Sequence, residues 1–177
     1  MGNHKIFETE RLLLVPISVE DAEFIYELFN LPTFIENIGE RNIKSVDMAK
    51  EYILNNMLPQ LEKLGYSTYT IVTKNNHTKV GTCGLYDRDG LEGIDIGYAL
   101  LTKFEKRGYA FEAAEKLKTL AFTEFGLERL SAVTSKNNLV SQKLLEKLGL
   151  TLTGTTKLPT SEEELFLFEI KKESLVK

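Results

Sequence analysis

Between Asp95 and Phe125 the chain runs D-I-G-Y-A-L-L-T-K-F-E-K-R-G-Y-A-F-E-A-A-E-K-L-K-T-L-A-F-T-E-F. This reads as a buried strand, a short basic turn centred on Gly108, and a long amphipathic helix. A helix start leaves backbone N–H groups without intrahelical partners, and the helix dipole adds partial positive charge at the same place. Lys106 and Arg107 make the spot more attractive to an anion, and such a place holds a phosphate. A phosphorylated ligand at Gly108 is therefore expected. The local pattern alone leaves open an ordinary strand-to-helix turn with a solvated basic pair.

Other residues carry chemistry at a distance from that turn. Asn138 and Ser141 lie one helical turn apart and face the same way at a helix start. There Asn138 serves either as a ligand contact or as the helix cap. Asp95 sits inside a central strand and Glu164 opens the last one. A buried carboxylate at either place could act as a general base, and a solvated edge charge is the plainer reading of each. Cys83 is the only cysteine and reads as a small core residue. His4 and His77 fall in a tail and a polar turn, so no metal site is expected.

The elements that must position these residues follow from periodicity and turn chemistry. Arg11–Ile17 is an apolar run ended by Pro16, hence strand one. Ser18 is a plausible N-cap with Asp21 three residues on. Ala22, Ile25, Tyr26 and Phe29 make a helix that Pro32 closes. The segment from Thr33 to Ser45 has no clear period and reads as loop or broken helix. Val46, Ala49, Ile53, Leu61 and Leu64 make a second helix, kinked at Pro59 and ended by Gly65. Ser67–Thr73, Lys79–Tyr86 and Gly93–Leu101 are rich in β-branched and aromatic residues, with turn clusters between them, and form an antiparallel meander. The long helix follows, with an apolar stripe through Ala113, Leu117, Leu120 and Ala121, and Gly126 caps it. Arg129–Thr134 is a strand parallel to its predecessor. A helix over Leu139–Leu148 with an apolar side of Val140, Leu144, Leu145 and Leu148 comes next, then strands at Thr151–Lys157 and Glu164–Lys171. The expected class is α/β with a mixed sheet in a single domain spanning 1–177.

Composition narrows the role. At 177 residues the chain suits one domain with a sizeable core. A net charge of −4 argues against a nucleic-acid partner, which usually meets a basic face. No apolar run approaches the roughly 18 residues of a membrane span, so no membrane partner is expected. Met1–Lys5 lack a signal-peptide core and a single cysteine suits a reducing compartment, so a cytoplasmic location is expected.

F-E-K-R-G-Y-A-F-E-A-A, followed by N-x-x-S and a downstream E-K-L-G-L, resembles the GNAT superfamily of acetyl-CoA-dependent N-acetyltransferases. E-T-E-R-L-L-L at 8–14, I-G-Y at 96–98 and N-L-V-S-Q-K-L-L-E-K-L-G-L at 138–150 resemble its RimJ/RimL branch. The likeness implies a mostly antiparallel twisted sheet of about seven strands with four helices, and a central parallel pair splayed for the cofactor. It implies acetyl-CoA as cosubstrate and no metal. The family turn Gln/Arg-x-x-Gly-x-Gly/Ala falls on Glu105–Ala110, with Glu105 in the place of Gln or Arg. By the match, Lys106, Arg107, Gly108, Tyr109 and Ala110 hold the pyrophosphate. Tyr98 and Leu100 give main-chain contacts to the pantetheine arm, one of them polarising the thioester carbonyl, and Asn138 contacts the same arm. In several relatives a tyrosine four residues beyond the serine protonates the leaving thiolate. Leu145 stands there, so the RimL type implies Ser141 as the substitute acid. Asp95 and Glu164 become the candidate bases, and Phe34, Asn37 and Arg41, in the irregular segment 34–41, the acceptor contacts.

The expected activity is direct acetyl transfer to a primary amine, either a peptide or protein N-terminal α-amine or a small-molecule amine. The expected assembly is a monomer or homodimer. Glu105 and Leu145 motivate the alternative, a non-catalytic coenzyme A-binding or sensing domain.

Overall fold

The computed structural model describes residues 3–175. The chain opens with β1 (Phe7–Glu8) and β2 (Leu12–Pro16), then α1 (Ala22–Phe29), α2 (Pro32–Asn37) and α3 (Val46–Tyr52), which runs through a π turn (Ile53–Met57) into α4 (Leu58–Leu64). The meander β3 (Thr68–Thr73), β4 (Lys79–Asp87) and β5 (Ile94–Leu100) leads to α5 (Tyr109–Thr123), β6 (Arg129–Ser135), α6 (Leu139–Lys147), β7 (Thr151–Thr156) and β8 (Leu165–Lys171). All eight strands form one sheet in the order β1-β2-β3-β4-β5-β6-β8-β7. Every neighbouring pair is antiparallel except β5 with β6. The mixed, mostly antiparallel sheet matches the expected class; the described residues form eight strands where about seven were expected and six α-helices where four were.

Each difference has a local cause. β1 is two residues long, too short to leave a periodic signal. Pro32 does not close the first helix but opens α2 at its first turn, where a missing N–H costs nothing. α1 has already ended at Phe29. Ser18 and Asp21 do form a reciprocal capping box, around a 3₁₀ turn (Val19–Asp21) that feeds α1. The second helix continues across Pro59 because the preceding turn widens. Leu58 N–H bonds to Ile53 O, five residues back, so the proline ring avoids the carbonyl it would otherwise strike. Val140 is 77% exposed, so the apolar side of α6 rests on Leu144, Leu145 and Leu148 alone.

Two cores sit on opposite faces of the sheet. One gathers Leu12, Leu14, Tyr69, Ile71, Cys83, Leu85 and Ile96 beneath α5 and α6. The other joins Ala99 and Leu101 to Ile25, Phe34, Ile53 and their neighbours in α1–α4. Cys83 lies fully buried in the first core, where burial pushes its thiol up to about 12, so it behaves as a packing residue. Lys118 is buried on α5 and donates to Leu148 O at 2.6 Å, tying α5 to the end of α6. Leu117 is fully buried at the centre of this layer. Leu117→Ala should cost about 2–5 kcal/mol in urea unfolding, read as a lower midpoint with an unchanged slope.

Candidate active site

β5 and β6 share a single register pair, Asp95 with Ser131. Beyond it they part, while β5 stays paired with β4 over seven positions and β6 with β8 over seven. The result is a V-shaped gap with its apex at Asp95 and its mouth toward the residues after Leu100. Strand alternation decides which groups face the gap. Leu101 N–H bonds to Val80 O at 2.9 Å, so Ala99 and Gly97, in step with it, also turn their main chain to β4. Tyr98 and Leu100 therefore turn theirs into the gap. Their side chains meanwhile pack toward the core under α5, whereas Asp95, Gly97 and Ala99 point to the opposite face.

At the mouth of the V lies the glycine turn. Gly108 is the N-cap of α5 in the left-handed conformation (φ 81°, ψ 4°) and makes no side-chain cap. Lys106 is also left-handed (φ 61°), uncommon for a residue with a Cβ. The first main-chain bond of the helix is Glu112 N–H to Gly108 O. Among the described residues the N–H groups of Gly108, Tyr109, Ala110 and Phe111 have no protein acceptor. These donors, beside the exposed Lys106 and Arg107, have the composition of an anion cradle.

Sequence reasoning missed the residue that braces this turn. Arg11 Nη1 donates to Arg107 O at 3.0 Å, Nε donates to Glu112 Oε2 at 2.6 Å, and the guanidinium lies 4.7 Å from the Tyr109 ring centre. Arg11 N–H and Thr9 Oγ1 both donate to Glu112 Oε1. Burial opposes ionisation of Glu112, but these hydrogen bonds and the Arg11 charge hold its carboxyl below the usual range. An acid in the first turn of α5 is thus neutralised beside the cradle. The signal was present in the E-T-E-R run at 8–11, but its partner lies 101 residues further along the chain.

α6 faces the same gap. Asn138 caps it, its side chain accepting from Ser141 N–H at 3.1 Å. The cap uses the amide oxygen and leaves the NH₂ group without a protein acceptor among the described residues. Ser141 is half-buried beside the Tyr98 phenol. Burial pushes that phenol above its ordinary value and the Ser141 hydroxyl pulls the other way. Leu145 is 3% exposed and belongs to the core, which accounts for an apolar side chain there.

The two carboxylates have different surroundings. Asp95 is 1% exposed, at the apex, and accepts Arg88 Nε on both oxygens at 2.9 and 3.0 Å. Burial raises its pKa to about 6, with the Arg88 charge and hydrogen bond holding it back. Glu164 is exposed in the loop before β8 and paired with Lys136, whose hydrogen bond and charge hold it below its ordinary value. It adjoins Leu165, opposite Ser135, four residues along β6 from the apex, or about 13 Å at strand spacing. The structure does not bring the two acids together.

Of the expected acceptor contacts, Phe34 is buried and stacks on Phe29 with ring centres 4.3 Å apart, so its ring is core to the helical layer. Asn37 is exposed at the end of α2. Arg41 lines a cleft of about 200 Å³ with Glu51, Tyr52, Asn55 and Asn56. That cleft includes no residue of β5, the glycine turn or α6.

A sheet parted at one parallel pair, with a glycine turn at its mouth, is the frame of an acetyltransferase. The family description "Acetyltransferase (GNAT) domain" matches residues 11–151. The chain belongs to this family and is an acetyl-transferring enzyme of a fold that takes acetyl-CoA as cosubstrate. Among its relatives is the uncharacterized N-acetyltransferase YjdG of Bacillus subtilis (strain 168), 40% identical over 156 residues that cover 83% of this chain and 90% of the relative. YoaA of the same organism, also an uncharacterized N-acetyltransferase, is 29% identical over 84% of both chains. Solved structures that share the fold include two of ribosomal-protein acetyltransferases. A ribosomal-protein-alanine acetyltransferase from Vibrio fischeri superposes with a TM-score of 0.80 at 22% identity, over 96% of this chain and 97% of that one. The RimL ribosomal-protein α-N-acetyltransferase, in complex with coenzyme A, also gives 0.80, at 16% identity over 94% and 98%.

Gly108→Ala tests the cradle. A Cβ there would lie 3.2 Å from Arg11 Nη2, and the left-handed backbone costs a non-glycine residue about 1–2 kcal/mol. The variant should show a lower melting temperature and acetyl-CoA affinity reduced about tenfold or more (about 1.4 kcal/mol) by isothermal titration.

Proposed function

We propose that the enzyme transfers acetyl from acetyl-CoA directly to the α-amine of a peptide or small metabolite, without an acetyl-enzyme intermediate. The observation that carries this reading is the bared main chain of Tyr98 and Leu100 in the gap between β5 and β6, in line with the uncapped start of α5. The parts present fit the cosubstrate. The free N–H groups of Gly108–Phe111, with Lys106 and Arg107, would hold a pyrophosphate. The main chain of Tyr98 and Leu100 and the Asn138 NH₂ group would hold an amide-bearing arm. When bound, acetyl-CoA supplies an acyl group already activated as a thioester.

Each residue then has one task. A main-chain N–H at Tyr98 donates to the carbonyl oxygen as charge gathers there, an effect typically worth about 100- to 1000-fold in rate. Asp95, mostly ionised at pH 7 with its pKa of about 6, accepts a proton from the amine on the helical-layer face, directly or through water. Ser141, on the α5–α6 face and beside Tyr98, passes a proton to the departing thiolate and recovers one from solvent. Proton removal and proton delivery thus lie on opposite sides of the sheet, with the gap between them. Glu164, exposed and ion-paired far along β6, suits the base role less well. An α-amine, with a pKa of about 8 against about 10.4 for a lysine side chain, reaches its neutral form more readily. The ribosomal-protein acetyltransferases among the structural neighbours favour the same class of amine.

A free-thiol assay over a panel of amines tests the reading, and absence of amine-dependent thiol release would overturn it. The pH dependence tests the base. Against an α-amine, log kcat/KM should rise with slope two below about pH 6, where both Asp95 and the amine must lose protons, and slope one from there to about 8. Asp95→Asn should remove the slope-two region and lower the plateau.

A further inference from the structure

Arg88 is the side chain at the apex that the reaction as described leaves without a task. It stands on the helical-layer face, just after β4, with 30% of its side chain exposed. Only its Nε is engaged, by Asp95. Its flat face lies over the Tyr86 ring, 4.9 Å from the centre. Among the described residues, neither Nη group has a protein acceptor. A guanidinium carries five N–H donors in a rigid plane, so four remain for a ligand.

Its position is built rather than incidental. Thr68, Gly84 and Gly97 form one row across the sheet, and Tyr86, Asp95 and Ser131 the next. A Cβ on Gly84 would fall 2.4 Å from the Tyr86 ring tip, and one on Gly97 would fall 3.2 Å from the same ring and 3.8 Å from Arg88 Nη2. The two glycines therefore form a floor on which Tyr86 lies flat, and Tyr86 in turn supports the guanidinium. Asp95 and Tyr86 fix the plane of Arg88 from two sides. Nη2 is held above Gly97, two residues from the apex, on the face from which the amine approaches Asp95.

We propose that Arg88 is an anion subsite of the acceptor pocket, and that the acceptor carries a carboxylate within a few bonds of its amine, as a free amino acid does. This rests on the acetyl-transfer reading above. A planar monoanion matches the remaining fork of the guanidinium and can be bound bidentately. A phosphate dianion matches less well, because Asp95 already places one negative charge against the same group. The arrangement sets the acceptor's nitrogen toward Asp95 and its carboxylate toward the Nη edge.

The test uses matched sets of an amino acid, its amide and the corresponding decarboxylated amine, with wild-type protein, Arg88→Gln and Arg88→Lys. Wild type should prefer the acid over its amide about 10- to 100-fold in kcat/KM, the span expected for hydrogen bonds to a charged group. The ratio should fall toward one in Arg88→Gln and stay partly elevated in Arg88→Lys. Titration of coenzyme A-loaded protein with N-acetyl amino acids and their amides reads the subsite without turnover. Wild type should bind the acids preferentially and Arg88→Gln should not, while thermal shift by coenzyme A reports that the variant is folded. Preferential binding of the acids without turnover of any amine would keep the subsite and remove the acetyl-transfer reading. Equal use of acids and amides by wild type, or an undiminished preference in Arg88→Gln, would overturn the subsite.

Discussion

The site depends on one rung. Asp95 and Ser131 are the only paired positions between β5 and β6, and everything assigned to the cofactor lies where the pairing stops. The separation costs each strand little, because each keeps a full-length antiparallel partner on its other side. Sheet twist then carries the two hairpin systems apart. What remains is a run of main-chain donors and acceptors unpaired inside a folded protein, a condition native structures rarely leave without a partner. A ligand with amide-like groups along its length would supply that partner.

α5 and α6 make the gap usable. α5 brings an uncapped N-terminus to its mouth and packs Ala113, Leu117 and Ala121 on the sheet behind it. α6 brings Asn138 and Ser141 to the other wall. The buried Lys118, bound to Leu148 O and paired with Glu115, ties the two helices together. Arg11 braces the turn from the opposite edge of the sheet, so the cradle is held by residues far apart in the chain. The local strain at Lys106 persists because this brace and the helix behind it over-determine the turn.

What was legible in the sequence was what local chemistry dictates. Gly108 announced a turn before a helix, and Ser18 with Asp21 announced a cap. The β-branched runs from Ser67 to Leu101 announced the meander with nearly correct ends. Where two local rules compete, the reading failed. Pro32 can close one helix or open the next, and only the path of the chain after Phe29 decides. Val140 fits a helical stripe, yet no element covers it. The site's long-range contacts left no local trace. Arg11 with Glu112 is a non-local pair. Arg88 with Asp95 could have been inferred only from hairpin register, since Tyr86 lies opposite Asp95 and Arg88 two residues beyond. The cap at Asn138 was legible, as one of the two readings its position allowed.

Alternation along β5 separates two kinds of inheritance. Tyr98 and Leu100 offer backbone to the gap, and their side chains pack on the α5–α6 face. Exchange of one apolar or aromatic group for another there leaves the main-chain groups facing the gap in place. Asp95, Tyr86 and Arg88 present side chains on the opposite face, over the floor at Gly97, and on the proposed reading any change among them would alter which amine is recognised. On the proposed reading, cofactor use is written in the path of the strand and acceptor choice in its decoration. Descendants of such a scaffold can drift toward new amines without relearning how to hold the acetyl donor.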